Sequence, residues 1–243
     1  MRIKAVVAYD GSSFEGFQEQ KRTANTVAFA IKKALKSVGI YSDITGSGRT
    51  DSHVHATAQV IHFDLPKYWE SKTDSLKEAL NGKVDAIYFR HIVEVPDSFH
   101  ARYSAKERVY RYIICQNPSV FERKYVSDIT IKDYTKLKEA LGIFKGEHNF
   151  GYFCKSGSDV KSTIREIYKA FYIKRGKYSV IYFSANGFLR SQVRLMVSAS
   201  IAYANGDISL KQLVNQIKAT DRYITKPAPP YGLYLCGVRY PKI

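Results

Sequence analysis

Apolar periodicity in this chain switches between two residues and about 3.6 residues, and it does so in the same order twice. Ile3, Ala5, Val7 and Tyr9 alternate with Lys4, Val6 and Ala8, the period of a strand, and the run stops at Asp10-Gly11. From Thr26 the spacing becomes helical, with Val27, Ile31, Ala34, Leu35 and Val38 on one face and Gly39 as the stop. Ile40 to Thr45 and Ala58 to Phe63 read as strands, Ser75 to Leu80 as a short helix, and Ala86 to Val95 as a strand ending before Pro96. The order is β-α-β-β-α-β, a ferredoxin-like unit.

The second half repeats it. Tyr103 to Cys115 alternates, with Tyr110 and Tyr112 on one face and Val109, Arg111 and Ile113 on the other. Asp133 to Phe144 is helical, striped by Leu137, Ala140, Leu141 and Phe144. Ile164 to Ile173 and Tyr178 to Ala185 form a hairpin turning at Arg175-Gly176-Lys177. Helices are expected at Phe188 to Ala204 and Leu210 to Ile217, and Leu233 to Tyr240 closes the chain as a strand. The expected fold class is α+β: two tandem ferredoxin-like, RRM-like halves, residues 1–100 and 101–243, forming a mixed central sheet with a cleft between them.

With 243 residues the chain can bury a sizeable core, and no apolar run approaches the roughly 20 residues that span a bilayer. The N-terminus enters a strand pattern directly, without the apolar stretch of a signal peptide. Cys115, Cys154 and Cys236 are widely spaced and lack CxxC spacing, so reduced thiols in a cytoplasmic protein are expected.

Charge narrows the partner. Thirty-eight Lys and Arg against 22 Asp and Glu give a formal net charge of +16, spread along the chain instead of gathered in a tail. Nineteen tyrosines and 13 phenylalanines accompany the cations. Cations meet phosphate and rings stack on unpaired bases, so this composition favours a nucleic-acid binder.

Between two of the strands lies Ser47-Gly48-Arg49-Thr50-Asp51-Ser52-His53-Val54-His55-Ala56. A loop carried on a sheet holds its polar groups over a rigid base, where chemistry is usually placed. Asp51 could simply cap backbone N–H groups in a polar turn. Alternatively, Asp51-x-His53-x-His55 on an extended segment would aim three ligands to one side and suit zinc or iron. His62, His91, His100 and His148 are scattered singly and add no further cluster, so no metal site is expected. Elsewhere, Arg190 and Arg194 are four apart and would share a helix face.

Taken together, these segments resemble the TruA family of tRNA pseudouridine synthases. Gly48-Arg49-Thr50-Asp51-x-x-Val54-His55-Ala56 is similar to that family's catalytic motif, usually read as GRTDAGVHA. Tyr9-Asp10-Gly11-Ser12-x-Phe14-x-Gly16-Phe17-Gln18 resembles its opening YDGTxYxGWQ. Phe99-His100-Ala101-Arg102-Tyr103-Ser104-Ala105 through Arg108-x-Tyr110-x-Tyr112 looks like its central strand. Ala185-Asn186-Gly187-Phe188-Leu189 with Val193-Arg194, and Gly232-Leu233-Tyr234-Leu235, resemble its basic helix and closing strand.

The resemblance implies isomerisation of uridine to pseudouridine in the anticodon stem-loop of tRNA, around tRNA positions 38 to 40, without metal or organic cofactor. It implies Asp51 as the catalytic carboxylate and Arg194 as its paired cation. It further implies Tyr110 as the aromatic against the flipped base, Arg49 as the residue that takes the base's place in the RNA, and Leu233 as the apolar contact under the base. A homodimer is expected on the same ground. Two other classes stand beside it: a catalytically silent tRNA-binding protein, and a metal-dependent hydrolase using Asp51, His53 and His55. Ser52-His53 departs from the family's Ala-Gly, and if that glycine needs positive φ, His53 is strained or the loop is rerouted. Ser191-Gln192 is a second departure.

Overall fold

The computed structural model describes residues 1–155 and 161–241. Among them are nine strands and five α-helices: β1 Arg2–Tyr9, α1 Val27–Ser37, β2 Thr45–Gly46, β3 His55–Asp64, α2 Thr73–Asn81, β4 Ile87–Val95, β5 Glu107–Cys115, α3 Tyr134–Ile143, β6 Gly146–Asn149, β7 Ile164–Arg175, β8 Tyr178–Ala185, α4 Gln192–Asn205, α5 Leu210–Ile217 and β9 Leu233–Arg239. They are the mixed helices and strands of an α+β fold. The chain divides into two compact units, one of Met1–Lys106 with the segment from Tyr234, the other of Glu107–Leu233.

In the first unit the strands run β4-β1-β3-β2, each antiparallel to its neighbour, the order of a ferredoxin-like sheet. Alternate residues of β1 (Ile3, Ala5, Val7 and Tyr9) are buried on one face, together with the α1 stripe Val27, Ile31, Ala34 and Leu35 and with Leu76 and Leu80 of α2. Helix α1 begins where the sequence places it: the Thr26 side chain accepts the Phe29 N–H, and Gly39 at φ 82° ends it. The other face of the sheet is also apolar, with Val60, Phe99 and Ala101 clustered against Val6, Val95, Val238 and Tyr240. Strand β9 lies parallel to β3, pairing Tyr234 with His55 and Leu235 with Ala56.

The expected strand over Ile40 to Thr45 reduces to Thr45–Gly46. Ile40 is buried, but its N–H closes the exit of α1 on the Leu35 carbonyl, and Asp43 is held by Lys32 at 2.8 Å. Burial there comes from helix exit, not from a ladder.

The second unit has the order β5-β8-β7-β6, again antiparallel throughout. Its core is built on Phe144, Phe150, Phe153 and Phe183, whose rings meet edge-on or stacked at 5.4 to 6.5 Å. Helix α4 is buried on nearly every side. It starts at Gln192, later than the expected Phe188, because Ser191 at φ 59° breaks helical geometry. Arg190 therefore stands outside the helix and does not share a helical face with Arg194, which corrects the expectation for that pair.

Candidate active site

Asp51 sits on a loop whose flanks are fixed and buried while the acid itself is half-buried. Thr50 and Val54 on either side are 7% and 1% exposed. The Thr50 hydroxyl meets the buried Tyr9 hydroxyl at 2.8 Å, and burial pushes that phenol's pKa well up, so it remains a protonated partner. The Phe17 N–H donates to the Thr50 carbonyl, and the His53 N–H to the Phe14 carbonyl. The Val54 N–H closes a turn on the Asp51 carbonyl. Ser47 and Gly48 are anchored by fully buried Gln59: its Oε1 accepts from the Ser47 hydroxyl at 2.6 Å and its Nε2 donates to the Gly48 carbonyl at 2.9 Å.

The segment Gly11 to Phe17 is thus the bracket of the Asp51 loop. It is tied in turn to the start of α1, since Val27 and Ala28 donate their N–H groups to the Gly16 and Phe17 carbonyls. Glycine is required where the two segments touch. A Cβ on Gly11 would lie 2.1 Å from the Val54 carbonyl oxygen, and Gly16 adopts φ 108° beside the Thr50 carbonyl.

His55 is locked into this bracket. Its ring is 2% exposed, stacks on Tyr234 at 4.6 Å, and accepts the Gly11 N–H at Nδ1. Asp10 lies 3.3 Å from the same nitrogen. An amide donating to Nδ1 needs a lone pair there, which fits the Nε2–H tautomer of the ring. His53 takes the strained alternative foreseen for a residue replacing glycine, with φ 63°. The extended Asp51-x-His53-x-His55 array is therefore not formed: the chain turns at His53, and His55 spends Nδ1 on the backbone. Among the described residues no group of three His, Cys, Asp or Glu side chains is placed to hold a metal ion. Arg49 is exposed on the same loop.

The second unit presents the remaining expected residues. Tyr110 and Tyr112 are buried on one face of β5. Tyr112 has a structural task, its hydroxyl donating to Pro229 O at 2.8 Å and meeting the Ser127 hydroxyl at 2.7 Å. Tyr110 is edge-on to Phe188 at 5.2 Å. Arg194, in the first turn of α4, makes a reciprocal pair with Ala228: its Nε donates to the Ala228 carbonyl at 2.7 Å, and the Ala228 N–H donates to the Arg194 carbonyl at 3.1 Å. Leu233 is buried, its N–H on the Pro230 carbonyl. Gly232 before it fits only without a side chain, since a Cβ would lie 2.6 Å from the Ile113 carbonyl oxygen. The Pro227–Pro230 run is what orients Arg194. Its signal is visible in retrospect: Ala228 is the one residue of that run with an N–H to donate.

The family described as tRNA pseudouridine synthase matches residues 5–104 and 140–241, and the chain belongs to it. Its relatives include proteins named tRNA pseudouridine synthase A from Wolinella succinogenes, 42% identical over 98% of this chain and 94% of the relative, and from Helicobacter hepaticus, 43% identical over 98% of each. A third, of the same name from an Exiguobacterium strain, is 37% identical over 100% of this chain and 99% of its own. The family isomerises uridine to pseudouridine in tRNA. Tyr110 falls in the stretch between the two matched segments, whereas Arg49, Asp51, Arg194 and Leu233 fall inside them.

Proposed function

We propose that this chain converts uridine to pseudouridine in the anticodon stem-loop of tRNA, around tRNA positions 38 to 40, with Asp51 as the catalytic carboxylate. The reading is carried by one observation: in a chain of this family, the only acid in the loop from Ser47 to Ala56 is held half-buried between two buried, hydrogen-bonded neighbours. Such mounting keeps a carboxylate in one place, which positioning catalysis requires.

The chemistry needs the C1′–N1 bond to break, the uracil to turn, and C5 to bond C1′; C5 gives up a proton and N1 gains one. Positive charge develops on the sugar as the bond breaks, and a carboxylate against it stabilises that charge. A uridine in a stem must first leave its stack. Arg49, exposed on the loop, is proposed to fill the gap, with Tyr110 and Leu233 bordering the flipped base. Arg194 is proposed as the cation paired with Asp51. With Nε committed to Ala228, its Nη1–Nη2 edge is the one that would meet a carboxylate.

Among the described residues no helix is long and apolar enough to cross a membrane. A cytoplasmic homodimer is the proposed setting. Pseudouridine mapping in unmodified tRNA treated with wild type and Asp51→Ala tests the reading. Modification near positions 38 to 40 by wild type alone supports it; tRNA binding without modification by wild type would leave the silent binder. Turnover lost in EDTA and restored by zinc would favour the hydrolase, although the His55 bond to Gly11 argues against that ligand set.

A further inference from the structure

We propose that the turn after β4 is a stacking platform for an unpaired base of the RNA substrate, with Tyr103 as the receiving ring and Arg102 as the cation beside it. The proposal rests on the RNA-modifying reading above and adds a contact point remote in sequence from the Asp51 loop.

Tyr103 is 76% exposed, yet its ring is backed. Its centroid lies 4.3 Å from that of His100, with 30° between the planes. His100 lies 4.8 Å from buried His62, and His62 is edge-on to buried Phe99 at 6.3 Å. A column of rings thus runs from the interior of the first unit out to Tyr103. Backbone amides of the same turn fix it. Ala101 donates its N–H to His62 Nδ1 at 3.1 Å, while Arg102 and Tyr103 both donate to His100 Nδ1 at 3.2 Å. The His100 N–H donates to Ser104 Oγ, and the Ser104 N–H returns to the His100 carbonyl.

An exposed tyrosine is ordinarily free to turn, and ordering it on binding costs affinity. Here the orientation is set beforehand by the imidazole beneath. The surroundings choose the occupant. The Arg102 guanidinium lies 5.8 Å from the Tyr103 centroid, and Lys106 is exposed three residues further on. The Lys4 ammonium lies 5.9 Å from the Phe99 ring and 5.8 Å from that of Tyr240, the same cluster that roots the column. Protein interfaces deplete charge at their centre, whereas RNA offers a flat base for the ring and phosphates for the cations.

The test uses the full chain and unmodified tRNA. Tyr103→Leu should raise the tRNA Kd about tenfold while the thermal midpoint stays near wild type. Tyr103→Phe, which keeps the π face, should bind within about twofold of wild type. Arg102→Gln should lower the log–log salt slope of binding by about one. Ultraviolet crosslinking of tRNA to wild type should map to the peptide bearing Tyr103. Unchanged affinity in Tyr103→Leu overturns the proposal. So does weakened self-association in that variant with RNA affinity intact, which would assign the turn to a contact between copies. If wild type makes no pseudouridine but Tyr103→Leu still loses RNA affinity, the reaction reading fails and the platform stands.

Discussion

The amide of Gly11 donates to Nδ1 of His55 at 3.0 Å, and the same glycine leaves no room for a methyl group. Gly11→Ala would drive a Cβ to 2.1 Å from backbone, where neither partner can yield by rotating a side chain. The expected cost is about 3 kcal/mol. Because the displaced atoms are Val54 and His55, turnover should fall at least tenfold even where the protein remains folded. Urea midpoints and single-turnover rates on the same preparation check both.

Strain at His53 can be isolated by comparing two truncations. His53→Ala and His53→Gly both delete the imidazole, so its contacts cancel between them. At ordinary φ alanine is the more stabilising of the two by about 0.5–1 kcal/mol. At φ 63° the preference should invert, with glycine more stable by about 1 kcal/mol. Thermal unfolding of the pair decides it, and a more stable alanine variant would show that this loop does not hold the left-handed conformation in solution.

Asp51→Asn keeps shape and removes charge, so turnover should drop by at least three orders of magnitude, about 4 kcal/mol, while tRNA still binds. Arg194→Met, which removes the cation proposed as the partner of Asp51, should approach the same loss. Arg194→Lys should recover only part: an ammonium cannot both hold the Ala228 carbonyl and present a planar edge. Single-turnover kinetics with parallel tRNA binding separate these outcomes. Near-normal chemistry in Arg194→Met would remove Arg194 from the mechanism.

Burial lowers the His62 pKa from its ordinary 6.5 to about 4, helped by the nearby charges of Arg2 and His100 and opposed by Asp64. The Ala101 N–H on Nδ1 also favours the neutral ring. The unfolded chain takes up this proton at higher pH than the folded one. The stabilisation is therefore complete above about pH 6.5 and is lost progressively as pH falls toward about 4. Urea midpoints between pH 7 and 4 should decline more steeply for wild type than for His62→Gln.

Strongly periodic elements were legible from sequence: β8 spans Tyr178–Ala185 as read, and α3 begins one residue after its Asp133 cap. Strand β6 was not, because Gly-Glu-His-Asn has no apolar alternation and exists as a strand only through its ladder to β7. The start of α4 was misread because Phe188 and Leu189 prolong the apolar pattern, while the break depends on the dihedral of Ser191. Asp51 and Arg194 enter the proposed site through motif resemblance. What holds them did not emerge from spacing: the Gly11–His55 bond and the Arg194–Ala228 pair join residues 44 and 34 positions apart.

The stacking of Tyr234 on His55 also sets a schedule. These residues are roughly 180 positions apart, and a ribosome adding about 5–20 residues per second needs some ten to thirty-five seconds to travel from one to the other. During that interval the first sheet, both its helices and the Asp51 loop can form, yet β3 lacks its parallel neighbour and His55 lacks its lid. A nascent chain would reach the polymerised length of the loop long before it reached the loop's finished form. Completion of the surroundings of the Asp51 loop is thereby postponed until the chain has grown past Tyr234, and shorter nascent chains lack the ring that covers His55.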